Sequence, residues 1–418
     1  MRRKLFSLIL TLIMVLSSCS FALADQWGDF IWSFENGVLS IDGEGEITQY
    51  GPWMKSLKKA TTLELGAKVT ACYKIFISHN AAPKLQKIII HGRETNTGNS
   101  PDNLKEVVYT AKNPVIDGGL FRKCRLKSIT IEDPDADYVF DGPFLLNKER
   151  SILYYYFEGN EKEVIIPESV KNIEEGAFST SKIVNVVLPS NLEIIGSSSF
   201  NGCKNLKSIV IPASTKIIGG YAFGSSGLQE VSLQSVNVVF GLSAFSDCNN
   251  LKSFVFPEGF QNLSGEYNND NMFARCKQLK TVFFPDSVQI IDFDVLALPT
   301  KTTILCREGS KAQQFAESYN YKYQIVTSIE SILLSDTALS IQKGKQATLK
   351  YEVSPASADV SAVKWYSTDD KVATVNKGKV KGISAGECDI VCEVIAADGS
   401  SAKAVSHVSV LDPKAGNK

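Results

Sequence analysis

The sequence predicts a mainly β protein, a β-solenoid of short repeats followed by a β-sandwich. Three observations carry the prediction. Phenylalanine recurs at a nearly constant period, a short alternating apolar run ending in proline follows most copies, and the period stops after Thr327. Beyond that point, alternating runs separated by Gly, Pro, Asp and Ser take over.

Phe178, Phe200, Phe223 and Phe245 are spaced 22, 23 and 22 residues apart, and Phe273 follows after 28, as if a few residues were inserted. Three residues beyond Phe stands Cys203, Cys248 or Cys276, with Ser181 and Ser226 in the same place. Next comes a segment of the form L-x-x-I-x-I-P: Leu206 to Pro212, Leu251 to Pro257 and Leu279 to Pro285. Weaker copies lie at 85–90, 104–109 and 126–131, the last preceded by Phe121 and Cys124. Within one copy Ile209 and Ile211 alternate with Val210, so the isoleucines face the interior and the valine faces out. Pro212 lacks an N–H and ends the strand ladder. Gly196 or Gly219 allows the return turn, Phe plugs the back of the coil, and a small Cys or Ser fits the bend before the next strand. A single coil buries too little apolar surface to offset the ordering of its residues, so only stacked coils fold.

These residues resemble the BspA-type (Treponema-type) leucine-rich repeat of bacterial surface proteins, over roughly residues 61–325 and most specifically from Ile165 to Asp292. One departure is Gln234, which stands where the proline is expected. The resemblance implies a β-rich N-terminal segment over 25–60, a leucine-rich-repeat solenoid with its C-terminal cap over 61–326, and a hairpin interruption near Phe144 to Tyr156. A helix from Ser310 to Asn320 would belong to the cap, which a solenoid needs because a bare last coil exposes an apolar edge. The runs at 329–334, 347–353, 363–365, 373–375 and 390–394, with Val353-Ser-Pro355, Trp365 and Gly378-Lys-Val380, resemble a bacterial immunoglobulin-like domain of group 2 over 329–411. That resemblance implies a spacer or adhesion module without an active site, in which Trp365 plugs the core. A tail of residues 412–418 follows.

The N-terminus sets the compartment. Arg2-Arg3-Lys4 followed by the apolar run Leu5 to Leu16 reads as a signal peptide over residues 1–24, too short to span a bilayer. Two cleavage sites compete. Ala22-Leu23-Ala24 precedes Asp25 in a small-x-small pattern, whereas Leu16-Ser17-Ser18-Cys19 resembles a lipobox in which Cys19 would be acylated and anchor the chain. Either implies a secreted or cell-surface protein. Cys124, Cys203, Cys248 and Cys276 recur at one repeat position, and Cys388 and Cys392 lie four apart along one apolar strand, so most of the cysteines read as small buried hydrophobes.

Composition narrows the function. Of 418 residues 21% are charged, and the net charge is −1. Removing Arg2, Arg3 and Lys4 with the leader leaves 41 basic against 45 acidic residues, so nothing draws the chain to nucleic acid. Three histidines leave little material for histidine-based catalysis or metal binding. Cys72, His79 and His91 suggest no pocket, with the imidazoles solvated. Asp133-Pro-Asp135-Ala-Asp137 starts like a calcium loop, but Tyr138 holds the place of the turn glycine and no glutamate closes it, so it reads as a solvated acidic turn. No phosphate loop or zinc spacing appears, and no enzyme activity or cofactor is expected.

The remaining signal is the outward side of the stacked strands. Lys105, Lys127, Lys207, Lys252 and Lys280 recur after the leading Leu, beside the outward residues Val210, Val255 and Phe283. β-Branched residues favour strands and lysines discourage edge pairing, which explains the pattern without a ligand. The alternative is a docking face for a partner, protein or glycan, on a host, matrix or neighbouring-cell surface. Two functions follow: a surface binding or adhesion protein, or a non-catalytic scaffold of an envelope assembly. The insertion Tyr267 to Asn271 would be a loop at the rim of that face.

Overall fold

A computed structural model describes residues 25–71, 82–93, 101, 103–116, 120, 124–159, 161–263, 271–296 and 298–412. The signal peptide with Cys19, Cys72 and His79, Phe121, the insertion up to residue 270 and the tail from residue 413 lie outside the described residues. The chain divides into two compact units. One comprises the residues up to Leu228 with Phe240–Cys248; the other comprises Gln229–Val239 with Asn249 onward. Among the described residues no helix is long and apolar enough to cross a membrane.

The first unit begins with an antiparallel meander, Asp25–Trp27, Phe30–Glu35 and Val38–Gly43. Trp53, fully buried, packs edge-on against Trp27 and Phe30 at ring distances of 5.1 and 6.3 Å. Val38–Gly43 then pairs in parallel with Thr62–Leu65, and the ladder continues through Lys87–Ile90, Glu106–Tyr109 and Ser128–Ile131. The weaker repeat copies therefore form true rungs. Leu63, Ile88, Val107 and Ile129 share one register row and are buried, which is what period-two alternation requires of an inward face.

An antiparallel hairpin, Tyr138–Asp141 with Phe144–Asn147 and Ile152–Tyr156, interrupts the coils. After it each coil has two strands. Front strands are Glu163–Ile165, Asn185–Val187 and Ser208–Ile211; back strands are Asn172–Ile173, Ile194–Ile195 and Ile217–Ile218. Between the two rows runs a file of stacked rings. Tyr156, Phe178, Phe200, Phe223 and Phe245 follow one another at centroid distances of 4.9, 4.8, 5.4 and 5.1 Å, tilted by no more than 23°. The spacing matches the ~4.8 Å between paired strands, so coil-to-coil translation alone brings the rings face to face.

The turns that carry these phenylalanines have a regular backbone that the sequence does not announce. Two residues before each Phe stands Gly176, Ser198, Tyr221 or Ser243, and two after it Thr180, Gly202, Ser225 or Asp247, all with φ between 54° and 72°. Non-glycine residues lose about 1–2 kcal/mol in this left-handed conformation. Hydrogen bonds between coils offset the cost: Ser198 N–H donates to Gly220 O, Phe200 N–H to Ala222 O and Gly202 N–H to Gly224 O, each at 2.8 Å. The small residue after the turn also donates. The Cys203 thiol reaches Phe178 O and the Cys248 thiol reaches Phe223 O, both at 3.1 Å. Burial pushes the Cys203 thiol up to about 12, so it behaves as a neutral donor and not as a nucleophile.

In the second unit, parallel strands Ser253–Val255, Thr281–Phe283, Thr303–Cys306 and Lys322–Ile325 continue the repeat. Phe273, fully buried, packs edge-on against Phe254 at 5.1 Å. The capping helix is Lys311–Ser318, begun by the Ser310 side chain accepting from Gln313 N–H and burying Ala312, Phe315 and Ala316. A β-sandwich follows. One sheet orders Ala338–Gln342, Ser401–Leu411, Gly386–Ala396 and Val360–Ser367; another pairs Lys379–Gly382 with Gln346–Thr348 and Ala373–Asn376. Trp365 touches both apolar clusters of this fold, as a plug should. Cys388 and Cys392 are buried free thiols.

Candidate functional site

The outward face of the front strands is built by register. Lys127 N–H donates to Lys105 O at 2.6 Å, and Lys105 N–H to Gln86 O at 2.8 Å, so Gln86, Lys105 and Lys127 stand in one column. Lys280 N–H donates to Lys252 O at 2.8 Å, which makes a second lysine step in the other unit. Lys127, Lys207, Lys252 and Lys280 are exposed, and Lys105 is half-buried.

Next to the lysines runs the apolar stripe. Ile165 and Val187 are direct partners across paired strands, and Val210 lies on the adjacent front strand. They are 65%, 43% and 53% exposed, against 3% for Ile209 and 0% for Ile211 within the same strand as Val210. Upstream the corresponding positions are Ile89, Val108 and Thr130, and there Val108 is already buried.

Two of the expected docking residues are not open. Val255, Phe283 and Leu305 are in register, yet Phe283 is 1% exposed and Val255 is half-buried. The cause is the sandwich itself. The turn joining Gly386–Ala396 to Ser401–Leu411 lies on this part of the stripe, with Ala397 packed against the cluster of Phe283, Leu305 and Val326. Gly399 comes so near that a Cβ on it would stand 2.8 Å from Val255 Cγ1. Sequence reasoning missed this cover because alternation tells which side chain points outward but not what lands on it. The Asp398-Gly399 pair was the available signal, a strong marker of a tight hairpin turn.

His91 also departs from expectation. It is half-buried: its Nε2 lies 2.8 Å from Glu64 Oε1 and its Nδ1 2.7 Å from Thr110 Oγ1, while Ser40 Oγ donates to Glu64 at 2.8 Å. Register places Ser40 beside Glu64, and each lies on a different rung. A histidine between a carboxylate and a hydroxyl is the geometry of a base-assisted nucleophile. Here, however, the row lies along a sheet whose N–H groups are engaged in the ladder: His91 donates to Leu65 O and Thr110 to Ile90 O. Among the described residues these main-chain groups present no oxyanion donor, and the row from Ser40 to Thr110 ties four strands together.

The hydrogen bond to Glu64 raises the His91 pKa above the ordinary 6.5, against the opposing effect of burial. Its stabilising contribution is therefore complete below 6.5 and is lost as pH rises through the raised folded value. Replacing His91 with Gln should lower the unfolding temperature more below pH ~6 than above pH ~9, as read by calorimetry across a pH series. An equal loss at both ends would exclude a charged His91.

The acidic turn is held by its own hydrogen bonds. Asp133 accepts from Asn113 N–H at 2.6 Å and Asp135 N–H at 3.1 Å, which holds its carboxyl below the usual range. Asp137 accepts from Asn113 Nδ2 at 3.0 Å. His407, itself exposed, faces Asp389 at 3.0 Å.

Two family models agree with this architecture. The model of the BspA type leucine rich repeat region matches residues 150–271 and 266–345, and that of the bacterial Ig-like domain (group 2) matches 328–406. Lacto-N-biosidase of Bifidobacterium bifidum is 40% identical over 77 residues, which is 18% of this chain and 7% of that enzyme; the chain thus spans a small fraction of this relative. The pneumococcal vaccine antigen PcpA is similar over 73% of this chain and 99% of its own, at 14% identity and a TM-score of 0.43. A leucine rich cell surface protein of Faecalibacterium prausnitzii A2-165 is similar over 72% and 98%, at 17% identity and a TM-score of 0.35.

Proposed function

Because the chain is a BspA-type leucine-rich-repeat protein ending in a group 2 bacterial Ig-like domain, we propose that it is exported, resides at the cell surface, and holds a protein partner on its front strands. The observation that carries the reading is the exposure of Ile165, Val187 and Val210 as one uncovered apolar strip. β-Propensity alone accounts for β-branched residues in strands, but three neighbouring ones left bare also make a contiguous apolar patch of the kind that a partner covers. Exposed Lys207 borders the strip, and Lys162 precedes its first strand, so the complementary segment carries apolar side chains with acidic groups beside them. The basic leader Arg2-Arg3-Lys4 and the apolar run after it support export.

The test uses a triple variant, Ile165→Asp with Val187→Asp and Val210→Asp, against a control on the back strand, Ile217→Asp, a residue 44% exposed. Binding to cell-envelope and extracellular-matrix fractions, with and without protease or glycosidase treatment, is measured by surface capture. The triple variant should lose about tenfold or more in affinity, the control should keep it, and protease should abolish the signal. Retained binding by the triple variant, or a signal removed only by glycosidase, would overturn the reading. Each change costs strand propensity of up to about 1 kcal/mol, so unfolding temperatures of the triple variant and the control are compared to separate folding from binding.

A further inference from the structure

The cover over Val255 and Phe283 is fastened as well as apolar. Asp398, at the tip of the sandwich hairpin, has a fully buried carboxylate that accepts from Ser328 Oγ at 2.6 Å, Ser400 Oγ at 2.6 Å and Ser400 N–H at 2.9 Å. Arg307, at the end of the front strand Thr303–Cys306, reaches the same carboxylate at 3.2 Å. Its guanidinium also donates to Glu258 at 2.6 Å and Ser328 Oγ at 2.6 Å, and lies 5.5 Å from the centre of the Phe283 ring. A buried carboxylate with one partner removed is left uncompensated, so the docked arrangement depends on this group of bonds being complete.

The connecting segment is bonded too. Val326 is buried; Thr327 N–H donates to the Asp359 carboxylate at 2.8 Å, Asp359 N–H donates to Thr327 O at 3.1 Å, and Ala397 N–H donates to Asp359 O at 2.8 Å. Ser400 Oγ accepts from Ile329 N–H at 2.8 Å. A segment in which consecutive residues are tied in this way is not a free hinge, although motion between modules is the ordinary expectation for a short polar contact. Gly399 is doubly constrained: its φ is +80°, and Val255 leaves no room for a Cβ.

We infer that the Asp398-Gly399 turn is an intramolecular latch that seats the sandwich on the last front strands of the solenoid. The sandwich and those coils then move as one body. The latch also withholds Val255 and Phe283 from any outside partner. The contact supplies a physical reason for the composition of the turn: small residues to approach the sheet, and one acid to meet Arg307. It is independent of any partner and stands whether or not Ile165, Val187 and Val210 bind one.

The latch is tested in the full chain with spin labels on unnatural amino acids at Lys277 and Lys364, both exposed and on opposite sides of the contact. The unaltered protein should give one narrow distance distribution. Arg307→Ala, Val255→Glu and Gly399→Val should each broaden it, with amide exchange over 396–400 faster by about tenfold or more. The three changes act on separate parts, so one that unfolds the hairpin leaves the other two decisive. A broad distribution in the unaltered protein, or a narrow unchanged one in all three variants, would overturn the proposal.

Discussion

Phe200→Ala is expected to cost about 3–5 kcal/mol, the upper range for emptying a core aromatic position. Phe200 is fully buried, with Phe178 at 4.8 Å on one side and Phe223 at 5.4 Å on the other. The gap cannot close, because the main chain around it is pinned: Phe178 N–H donates to Ser199 O and Phe200 N–H to Ala222 O, both at 2.8 Å. Neighbouring coils support one another only through such contacts, so the loss extends to the coils carrying Phe178 and Phe223. Repeat arrays do not unfold in one step, which makes site-resolved hydrogen exchange the better measurement. Protection should fall across residues 173–223 in Phe200→Ala and stay unchanged in Val210→Ala, whose side chain is exposed. A loss confined to residues beside position 200 would contradict coil-to-coil support.

Gly219→Ala should be strongly destabilising for the addition of a single methyl group. A Cβ there would stand 2.5 Å from Ser197 N and 2.8 Å from Gly196 C, both main-chain atoms of the preceding coil. Gly241 meets Gly220 N at 2.5 Å and Gly196 meets Ile173 O at 2.6 Å, so the same repeat position is closed in three successive coils. Backbone cannot rotate aside as a side chain can; the coils must separate, at about 1–3 kcal/mol or more. The corresponding change at Gly142, where nothing lies within 4 Å, has only its φ of +56° to contend with. Calorimetry of the two variants should give the larger drop in unfolding temperature for Gly219→Ala. An equal or smaller drop would mean that coil spacing is looser than the contacts require.

The solenoid was legible because its signals are local and repeat. The period of Phe178, Phe200, Phe223 and Phe245 placed the rings, and the alternation of Ile209, Val210 and Ile211 assigned inside and outside. Other features depended on registry between distant residues. His91, Glu64 and Thr110 come together only once three rungs are aligned, and each looked unremarkable alone. The left-handed residues around each phenylalanine are more often residues such as Ser198, Tyr221, Ser243 or Thr180 than glycine, because hydrogen bonds between coils, not side-chain identity, hold that conformation. Glycine at 219 looked like a turn former, whereas its role is to let two main chains touch. The candidate face was half legible: Val210 is bare as its alternation implies, while Phe283 needed the position of a turn more than a hundred residues away in sequence.

A diazirine amino acid placed singly at Val210 and at Val255 tests the central claim most directly, namely that Val210 is open for recognition while Val255 is occupied by the chain itself. After irradiation with the bound partner, the probe at position 210 should crosslink to the partner, and the probe at 255 should form only an internal crosslink to residues 397–400. Crosslinking of the partner at 255 with none at 210 would contradict the account.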